Sequence, residues 1–507
     1  MNSNNSFKAY CLSLVHPDGW NKPIFALFVV SVLISCFIGY QLTFRPVYVA
    51  LLVVIFFAFI IGLYIPISYL LISTLFLPVL VTGQISFWLG FSQAFWLNYI
   101  FCILILIRMV WFKAWSKSGF KDDVNKVQTP GLGGELFFLL VFFIVAIASW
   151  IINGANFGGM ALIVKNYMLP WVVALCVALG FLDSSKLINV FKTILVIAVI
   201  QLPLVLFQRF YMVGRNGASW DVVVGTFGGN YLTGGSSGAL ALFLFFAIFL
   251  AIEFYKEKQL SLLASSIVVV FSVVSIALAE VKIILFLLPI GFFILNWREI
   301  AKSPGRFMLV LMLILLLSFF ILYVYAAMYS SKSGYADVNL DRYIDYMFFS
   351  EKNIGFYNPI TREVSRLGAI ERWFYYNPNL LDLTSLFGNG AGSTRESQTL
   401  GAGALAMKYP FSLSTSTVSV LLWELGILGL SAMIIFNIQI ARLGFSFSER
   451  NQKSIFSSVL KVCSMFIFIS VVLYIYNRDA IDSPSIQIFL AFLVGTILYG
   501  NNVYKRS

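Results

Sequence analysis

The sequence predicts an all-α polytopic membrane protein. Of its 507 residues, 60% are hydrophobic and only 11% are charged, whereas soluble domains carry roughly 25% charge. The mean hydropathy is +0.90. Apolar runs recur along the chain, each long enough to cross about 30 Å of hydrocarbon as a helix. The runs are continuous rather than alternating, so a transmembrane β-barrel is excluded.

We predict about 14 transmembrane helices, with 12 to 14 as the range. Pro66 marks a turn inside a run that is too long for one helix. The N-terminal tail is polar and lacks a signal-peptide cleavage pattern. The predicted spans are 24–43, 47–64, 67–83, 87–108, 135–152, 161–182, 187–207, 237–255, 260–278, 282–297, 307–327, 415–440, 459–476 and 485–499.

One long polar block interrupts the apolar runs. Residues 328–411 carry charges of both signs together with aromatic residues, a composition that differs from that of disordered segments. We therefore predict a large folded loop late in the chain. The predicted organisation is a membrane bundle of eleven spans over 1–327, the loop over 328–411, and three further spans over 412–507.

The distribution of Lys and Arg predicts the orientation. The formal net charge is +12, and the basic residues fall mainly on one set of loops. Twenty of the 34 lie in segments on the side of the N-terminus, six in short loops on the other side, and eight in the long block. The positive-inside rule then places both termini in the cytoplasm and 328–411 outside. Because the basic residues are dispersed, nucleic-acid binding is not expected.

The cysteines and the histidine limit the kinds of functional site that the sequence predicts. The five cysteines show no paired spacing, and none lies in the long block. The only histidine is His16, in the N-terminal tail. We therefore expect no disulfides, no metal site, no cofactor and no histidine-based catalysis outside the membrane.

The first candidate cluster on the outer side precedes span 237–255. Arg209 and Arg215 stand before GTFGGNYLTG (225–234), which contains Asn230. Arginine suits bidentate binding of phosphate, and glycine permits close approach of the backbone to a ligand. The alternative is an ordinary interfacial loop with snorkelling arginines.

The second candidate cluster is the tight outer turn LAEVK (278–282). Glu280 and Lys282 lie at the membrane rim, where Lys282 would be a second cation for a diphosphate. The alternative is a hairpin cap with a local charge pair.

The third candidate cluster lies in the long loop. RLGAIERWFYYNP (366–378) brings Arg366, Arg372 and Trp373 close together, and SLFGNGAG (385–392) is a glycine-rich turn. Aromatic faces and polar side chains together are typical of sugar-binding surfaces. The alternatives are a small loop core for the aromatics and local ion pairs for the arginines.

Several motifs resemble the O-antigen polymerase/ligase superfamily, which includes the Wzy-type polymerases. LFGNG (386–390) precedes ELGILG (424–429), around a large outer loop. GTFGGNY (225–231) resembles a motif of that family but lacks its proline, and Lys282 stands at the family's basic position. The resemblance covers roughly 190–440, and the N-terminal half matches in topology alone.

The resemblance implies a GT-C-like, metal-independent glycosyltransferase. Its expected reaction is polymerisation of polyprenyl-diphosphate-linked repeat units on the periplasmic face of the bacterial inner membrane, for O-antigen, capsule or exopolysaccharide. The implied partners are undecaprenyl-diphosphate-linked oligosaccharide, membrane lipid and a chain-length-regulating membrane protein. The ligases carry a His–Asn pair where this chain has Thr415 and Ser416, which favours a polymerase.

The resemblance and the outer clusters together assign roles to residues. The expected catalytic cations, which would neutralise the departing diphosphate, are Arg215, Lys282 and Arg372. The expected substrate-binding residues are Arg209, Asn230, Glu280, Arg366, Trp373 and Thr415. Candidates for a general base are Glu280, Asp341, Asp345 and Glu371, and Glu424 is expected to be structural.

Two other functions stay open at this point. A ligase would transfer finished polymer to another acceptor, such as the lipid A core. A flippase for lipid-linked oligosaccharide can also have about 14 spans, but its sequence should show two related halves. Charged residues inside the bundle and the absence of a large outer loop would also favour the flippase.

Overall fold

The computed structural model forms two compact units, 1–65 and 66–507, and nearly all of the first lies outside the described residues. The architecture below is that of the second unit. The structure describes residues 62, 65–115, 134–213, 220–231, 234–305, 307–309, 311–312, 316, 362, 364–397, 401–450 and 454–504.

The described part of the chain is almost entirely helical. In chain order the helices are α1 (Ile67–Leu77), α2 (Gly83–Leu89), α3 (Trp96–Trp115), α4 (Phe137–Ile152), α5 (Phe157–Leu162), α6 (Trp171–Ala178), α7 (Ser184–Phe207), α8 (Ser237–Lys256), α9 (Leu262–Leu278), α10 (Lys282–Ala301), α11 (Arg366–Tyr376), α12 (Leu383–Phe387), α13 (Ala404–Lys408), α14 (Thr417–Arg450), α15 (Ile455–Leu473), α16 (Asp479–Asp482) and α17 (Pro484–Tyr504).

Short π-helical, 3-10 and strand elements complete the described structure. π-Helical segments Pro78–Thr82, Ile163–Met168 and Gln208–Val213 lie within or at the ends of long apolar helices. Ser92–Phe95 and Trp220–Val222 are 3-10 helices. Two small antiparallel pairs are formed by β1 (Gly229–Asn230) with β2 (Gly234–Gly235), and by β3 (Glu396–Ser397) with β4 (Gly401–Ala402).

The helices confirm a multi-pass α-helical membrane protein. Eight described segments are long and apolar enough to cross a membrane, and three shorter apolar helices accompany them. Each predicted span that falls on described residues coincides with one of these helices. Spans 24–43 and 47–64 lie outside the described residues apart from one position, and most of 307–327 does too.

Two details differ from the sequence prediction. Lys165, counted among the six basic residues of the short outer loops although it falls inside the predicted span 161–182, lies in the π-helical segment of the apolar helical stretch Phe157–Ala178. The stretch starts earlier than expected because Asn156 caps it, its side chain accepting a hydrogen bond from the Gly159 amide. Helix α14 runs to Arg450 rather than 440, since its polar last turns continue the helix beyond the apolar window.

The bundle core is formed by α8, α14, α15 and α17: α14 and α8 each pack on α15 and α17, and α15 and α17 pack on each other. Within their most apolar windows, α8 and α17 are 83% buried, whereas the segment Ser92–Val110 is only 33% buried and lies at the periphery. Phe246, Phe466 and Phe489 join three of these helices, with ring centroids 5.1 to 5.7 Å apart.

Described residues of the long polar block fold onto the bundle. Helices α11 and α12 pack on α14, and α12 also contacts α4. Tyr376, Tyr409 and Phe411 form an aromatic cluster with Trp423 of α14. The folded loop therefore contacts α14 at its start.

Candidate functional site

Helix α14 is broken two residues after Glu424. Gly426 has φ 69° and ψ −170°, which is not a helical conformation. A break of this kind leaves carbonyl groups without intrahelical donors, and in a buried position they need other partners. Trp373 Nε1 donates to the Leu422 carbonyl at 3.0 Å. The backbone N–H of Asn389 donates to the Trp423 carbonyl at 2.9 Å.

The Glu424 carbonyl completes this pattern. It accepts from the Gly390 N–H at 3.1 Å and from Ser149 Oγ of α4 at 2.9 Å. The loop and α4 thus replace the hydrogen bonds that the helix loses at its break.

The two glycine motifs of the sequence contact each other at this break. A Cβ on Gly388 would lie 2.4 Å from the Glu424 carbonyl carbon, and a Cβ on Gly426 would lie 2.3 Å from the Leu386 carbonyl oxygen. Gly388 also has positive φ, at 74°. Both positions therefore require glycine, for close approach as well as for backbone conformation.

The Glu424 carboxylate is buried and fully hydrogen-bonded. Its side chain is 1% exposed. Tyr167 donates its hydroxyl to Oε2 at 2.6 Å, Thr394 Oγ1 donates to Oε1 at 2.7 Å, and Arg395 Nε lies 3.2 Å from Oε1. Residues directly after the LFGNG turn thus hold the carboxylate as a charged, paired group.

Arg395 connects Glu424 to α16, at the end of the bundle that the sequence predicts to face outward. Its Nη1 forms an ion pair with Asp482 of α16, and Arg478 Nε lies 3.5 Å from the other oxygen of Asp482. Burial lowers the pKa of Arg395, but Asp482 and Glu424 outweigh it and hold the pKa well above its ordinary value. We call Glu424, Arg395, Asp482 and Arg478 the ion network.

Lys165 adds a further cation beside this network. Its Nζ lies 4.9 Å from the ring centroid of Trp96 and 5.3 Å from that of Tyr99. No described carboxylate forms an ion pair with Lys165. Aromatic faces therefore stabilise the ammonium group in place of an anion.

A cavity of about 520 Å³ adjoins Arg395. Its wall includes the backbone of the glycine-rich turn 389–393 and the side chains of Asn153 and Asn156. Ser393 Oγ and Arg395 Nη2 are buried, and neither finds a hydrogen-bond partner among the described residues. The polar groups of the wall that are left for a ligand are thus the Ser393 hydroxyl and one arm of the Arg395 guanidinium, and a guanidinium suits oxygen-rich anionic groups.

Asp479 lies next to the ion network on the same short helix as Asp482. Burial, together with the nearby Asp482 charge, raises its pKa to about 7, although Arg478 opposes the shift. Asn477 donates to its Oδ2 at 3.0 Å. Asp479 therefore titrates near neutral pH.

The GTFGG stretch has a structural role that differs from the expected one. Gln208 Oε1 accepts from the amides of Val224 and Gly225 at 2.9 and 2.7 Å. Gln201 Oε1 accepts from the Thr226 amide at 2.9 Å. Residues 222–228 are buried. A Cβ on Gly225 would lie 2.3 Å from Gln201 Oε1 of α7. Glycine at this position therefore permits close packing of the stretch against α7, and not the approach of a ligand.

The structure describes one of the three predicted catalytic cations in full. Arg215 lies outside the described residues. Lys282 begins α10, and its side chain is also outside the described part. Arg372 lies on α11 with its guanidinium carbon 4.0 Å from the ring centroid of Phe411.

Two predicted substrate-binding residues from separate outer segments meet. Arg209 Nη2 lies 2.8 Å from Glu280 Oε1, and both side chains are largely buried. Glu280 has positive φ, at 58°, in the turn between α9 and α10. Asn230 pairs with Gly234 in the β1–β2 hairpin and is half-buried.

The remaining three predicted residues lie along the start of α14. Arg366 Nε donates to the Tyr476 carbonyl, and its guanidinium carbon lies 4.1 Å from the Tyr476 ring centroid. Trp373 is fully buried, so its ring supports the break in α14 and is not a sugar platform. Thr415 is half-buried, and its Oγ1 has no partner among the described residues.

Sequence reasoning missed the residues of the ion network other than Glu424. Arg395 follows the LFGNG turn by only a few residues, and Arg478, Asp479 and Asp482 cluster in one short outer loop. The sequence feature that could have indicated this network is the group of acidic and basic residues between two predicted spans. The sequence does not show which of these residues form ion pairs with one another.

Comparison with known proteins adds no assignment. No protein-family model matches the chain, and no match was found among curated proteins.

Proposed function

We propose that the chain polymerises polyprenyl-diphosphate-linked oligosaccharide repeat units at the outer face of the bacterial inner membrane. The proposed architecture is GT-C-like, with about 14 spans and cytoplasmic termini. The products would be O-antigen, capsule or exopolysaccharide. The proposal requires no metal ion, since cations of the protein supply the charge.

One observation carries the proposal. The LFGNG turn is seated on the break after Glu424, and this contact fixes Arg395 against Glu424 and beside the 520 Å³ cavity. The two motifs behind the family resemblance are thus the two parts that build one outward site. Paired charges of this kind are held in place before a substrate binds, as electrostatic catalysis requires.

The proposed step is a displacement at an anomeric carbon. The acceptor hydroxyl oxygen forms a bond to the anomeric carbon of the donor, and the bond from that carbon to the diphosphate oxygen breaks. The diphosphate leaves with the electron pair, and the hydroxyl proton passes to a carboxylate.

Fixed cations would stabilise the developing charge on the diphosphate. We assign this role to Arg395 and Lys165, together with Arg215, Lys282 and Arg372. Arg395 is held by carboxylates, while Lys165 pairs with no described carboxylate. A low-dielectric surrounding strengthens each contact.

The test is a gel of surface glycan from cells that express single variants. Arg395→Lys keeps the charge that Glu424 and Asp482 need but loses the planar fork of donors. We expect this variant, and Arg215→Ala, Lys282→Ala and Arg372→Ala, to lose long chains and keep one-unit material. Lys192→Gln, at an exposed position of α7, is the control and should give full-length chains.

The outcome separates the competing functions. Long polymer that accumulates on its lipid carrier would indicate a ligase. Repeat units that accumulate on the cytoplasmic side would indicate a flippase. Full-length chains in every arginine and lysine variant at normal protein level would overturn the assigned site.

A further inference from the structure

A second cavity lies at the opposite end of α14 from the ion network. Its volume is about 760 Å³, and its walls come from the C-terminal ends of α8, α10 and α14 and from the first turns of α15. α10 and α14 both pack on α15. The proposed function above makes no use of this cavity.

Cations that form no ion pair in the described structure line this cavity. Lys302, Arg442 and Lys461 lie in its wall, and none pairs with a described carboxylate. In contrast, Lys256 Nζ lies 2.6 Å from Glu253 Oε1. Three positive charges that share one cavity repel one another, so an anion between them would be stabilising.

The carboxylates of the cavity are already engaged. Glu253 is buried and paired with Lys256, and Glu257 accepts from Ser458 Oγ at 2.7 Å. Glu449 also has a partner. Lys256 offsets Glu253, so Lys302, Arg442 and Lys461 stand against the charges of Glu257 and Glu449, and the cavity keeps a formal net charge of +1 (three cations minus two carboxylates).

The cavity also presents apolar side chains toward the lipid. Trp297, Ile438 and Phe468 line it and are 49%, 42% and 40% exposed. All four helix ends carry the loops that hold the Lys and Arg excess, which places the cavity at the cytoplasmic leaflet. Basic pockets between spans on that side suit anionic lipid headgroups.

We propose that this cavity binds an anionic phospholipid of the cytoplasmic leaflet. Its phosphate would lie among Lys302, Arg442 and Lys461, and the start of its acyl chains along Trp297 and Phe468. The volume suits a headgroup with the first carbons of its chains. The occupant is amphipathic because the cavity combines free cations with lipid-facing apolar walls.

The test uses the purified full chain in detergent and two probes, phosphatidylglycerol and phosphatidylcholine with identical acyl chains. Native mass spectrometry gives the bound lipid at each concentration. We expect the wild type to favour phosphatidylglycerol by about a hundredfold, and the preference to fall about fivefold for each of the three cations changed to glutamine. The variants are Arg442→Gln, Lys461→Gln and the triple variant with Lys302→Gln.

The matched control is the double variant Lys186→Gln and Lys192→Gln, two exposed lysines of α7. It should bind both lipids as the wild type does. Equal binding of the two lipids by the wild type would overturn the proposal, whatever the variants do. An unchanged preference in Arg442→Gln and Lys461→Gln would overturn it too. Because the readout is lipid binding, failure here leaves the glycan assay unaffected.

Discussion

The two ends of α14 hold charge in opposite ways. At the end where α14 begins, which we call the outer end after the proposed orientation, Glu424 accepts from three side chains, and Arg395 contacts two carboxylates. At the opposite end, the inner end of that orientation, Lys302, Arg442 and Lys461 line a wide cavity, and no described carboxylate pairs with them. The charged side chains of the first end are held in place by other side chains of the protein, whereas the cations of the second end are available to bind a ligand.

This difference separates two kinds of site on one helix. Buried, paired charges cost stability when one partner is removed, because the other is left uncompensated. Solvated cations contribute little to folding. The predictions below test this contrast, from the largest expected effect to the smallest.

The largest effect is expected at the glycine contact. Gly426→Ala should destabilise the protein by about 3 kcal/mol or more, because the new Cβ would overlap the Leu386 carbonyl at a positive φ. Thermal unfolding of the purified protein measures the change. Gly134→Ala is the control, since nothing lies within 4 Å of its added Cβ. A stability close to wild type in Gly426→Ala would show that the close contact between Gly426 and the Leu386 carbonyl is not needed for folding.

The next effect is expected at the buried carboxylate. Glu424→Ala should cost about 3 kcal/mol, because Arg395 loses its buried partner and keeps only the partly exposed Asp482. Chemical unfolding of the same preparation measures it. Glu257→Ala at the inner end removes a single hydrogen bond to Ser458 and should cost about 1 kcal/mol. Equal losses in the two variants would contradict the contrast between the ends.

A pH-dependent effect is expected at Asp479. Its folded-state pKa of about 7 lies above the ordinary value of 3.8, so the folded protein favours the neutral form. The resulting stability is fully present below about pH 4, is lost progressively as the pH rises from there, and is gone once the pH has passed through 7. Asp479→Asn should therefore raise the unfolding temperature at pH 8 and leave it nearly unchanged at about pH 4. A shift that is the same at both pH values would argue against the raised pKa.

The smallest effect is expected at the inner cations. Without anionic lipid, Lys302→Gln and Arg442→Gln should change the free energy of unfolding by less than about 0.5 kcal/mol. Unfolding in neutral detergent measures it. A loss comparable to that of Glu424→Ala would mean that these cations are structural.

The sequence predicts the bundle because hydrocarbon demands long apolar helices. Each described span was found at its predicted place for this reason. The sequence predicts the span that contains Lys165 as 161–182 but not its start, since an Asn156 cap begins the helical stretch ahead of the apolar window. Local capping and π-helical turns leave little trace in hydropathy.

The site was predictable only in its parts. LFGNG and ELGILG were recognised as motifs, yet their contact depends on backbone angles at Gly388 and Gly426 that no pattern reveals. The partners of Arg395 lie on α14 and α16, far apart in the chain. Trp373 was expected to bind a sugar but is buried. The sequence alone does not show whether an aromatic residue in a polar loop is buried or exposed.

The broken helix also has a consequence for biogenesis. Tyr167, the LFGNG turn, Thr394 and Arg395 all precede Glu424, so the ribosome delivers these partners before α14 enters the bilayer. Asp482, on α16, is synthesised after all of these partners. A nascent chain that stops after α14 therefore holds Arg395 with one of its two carboxylate partners, and the second arrives with α16.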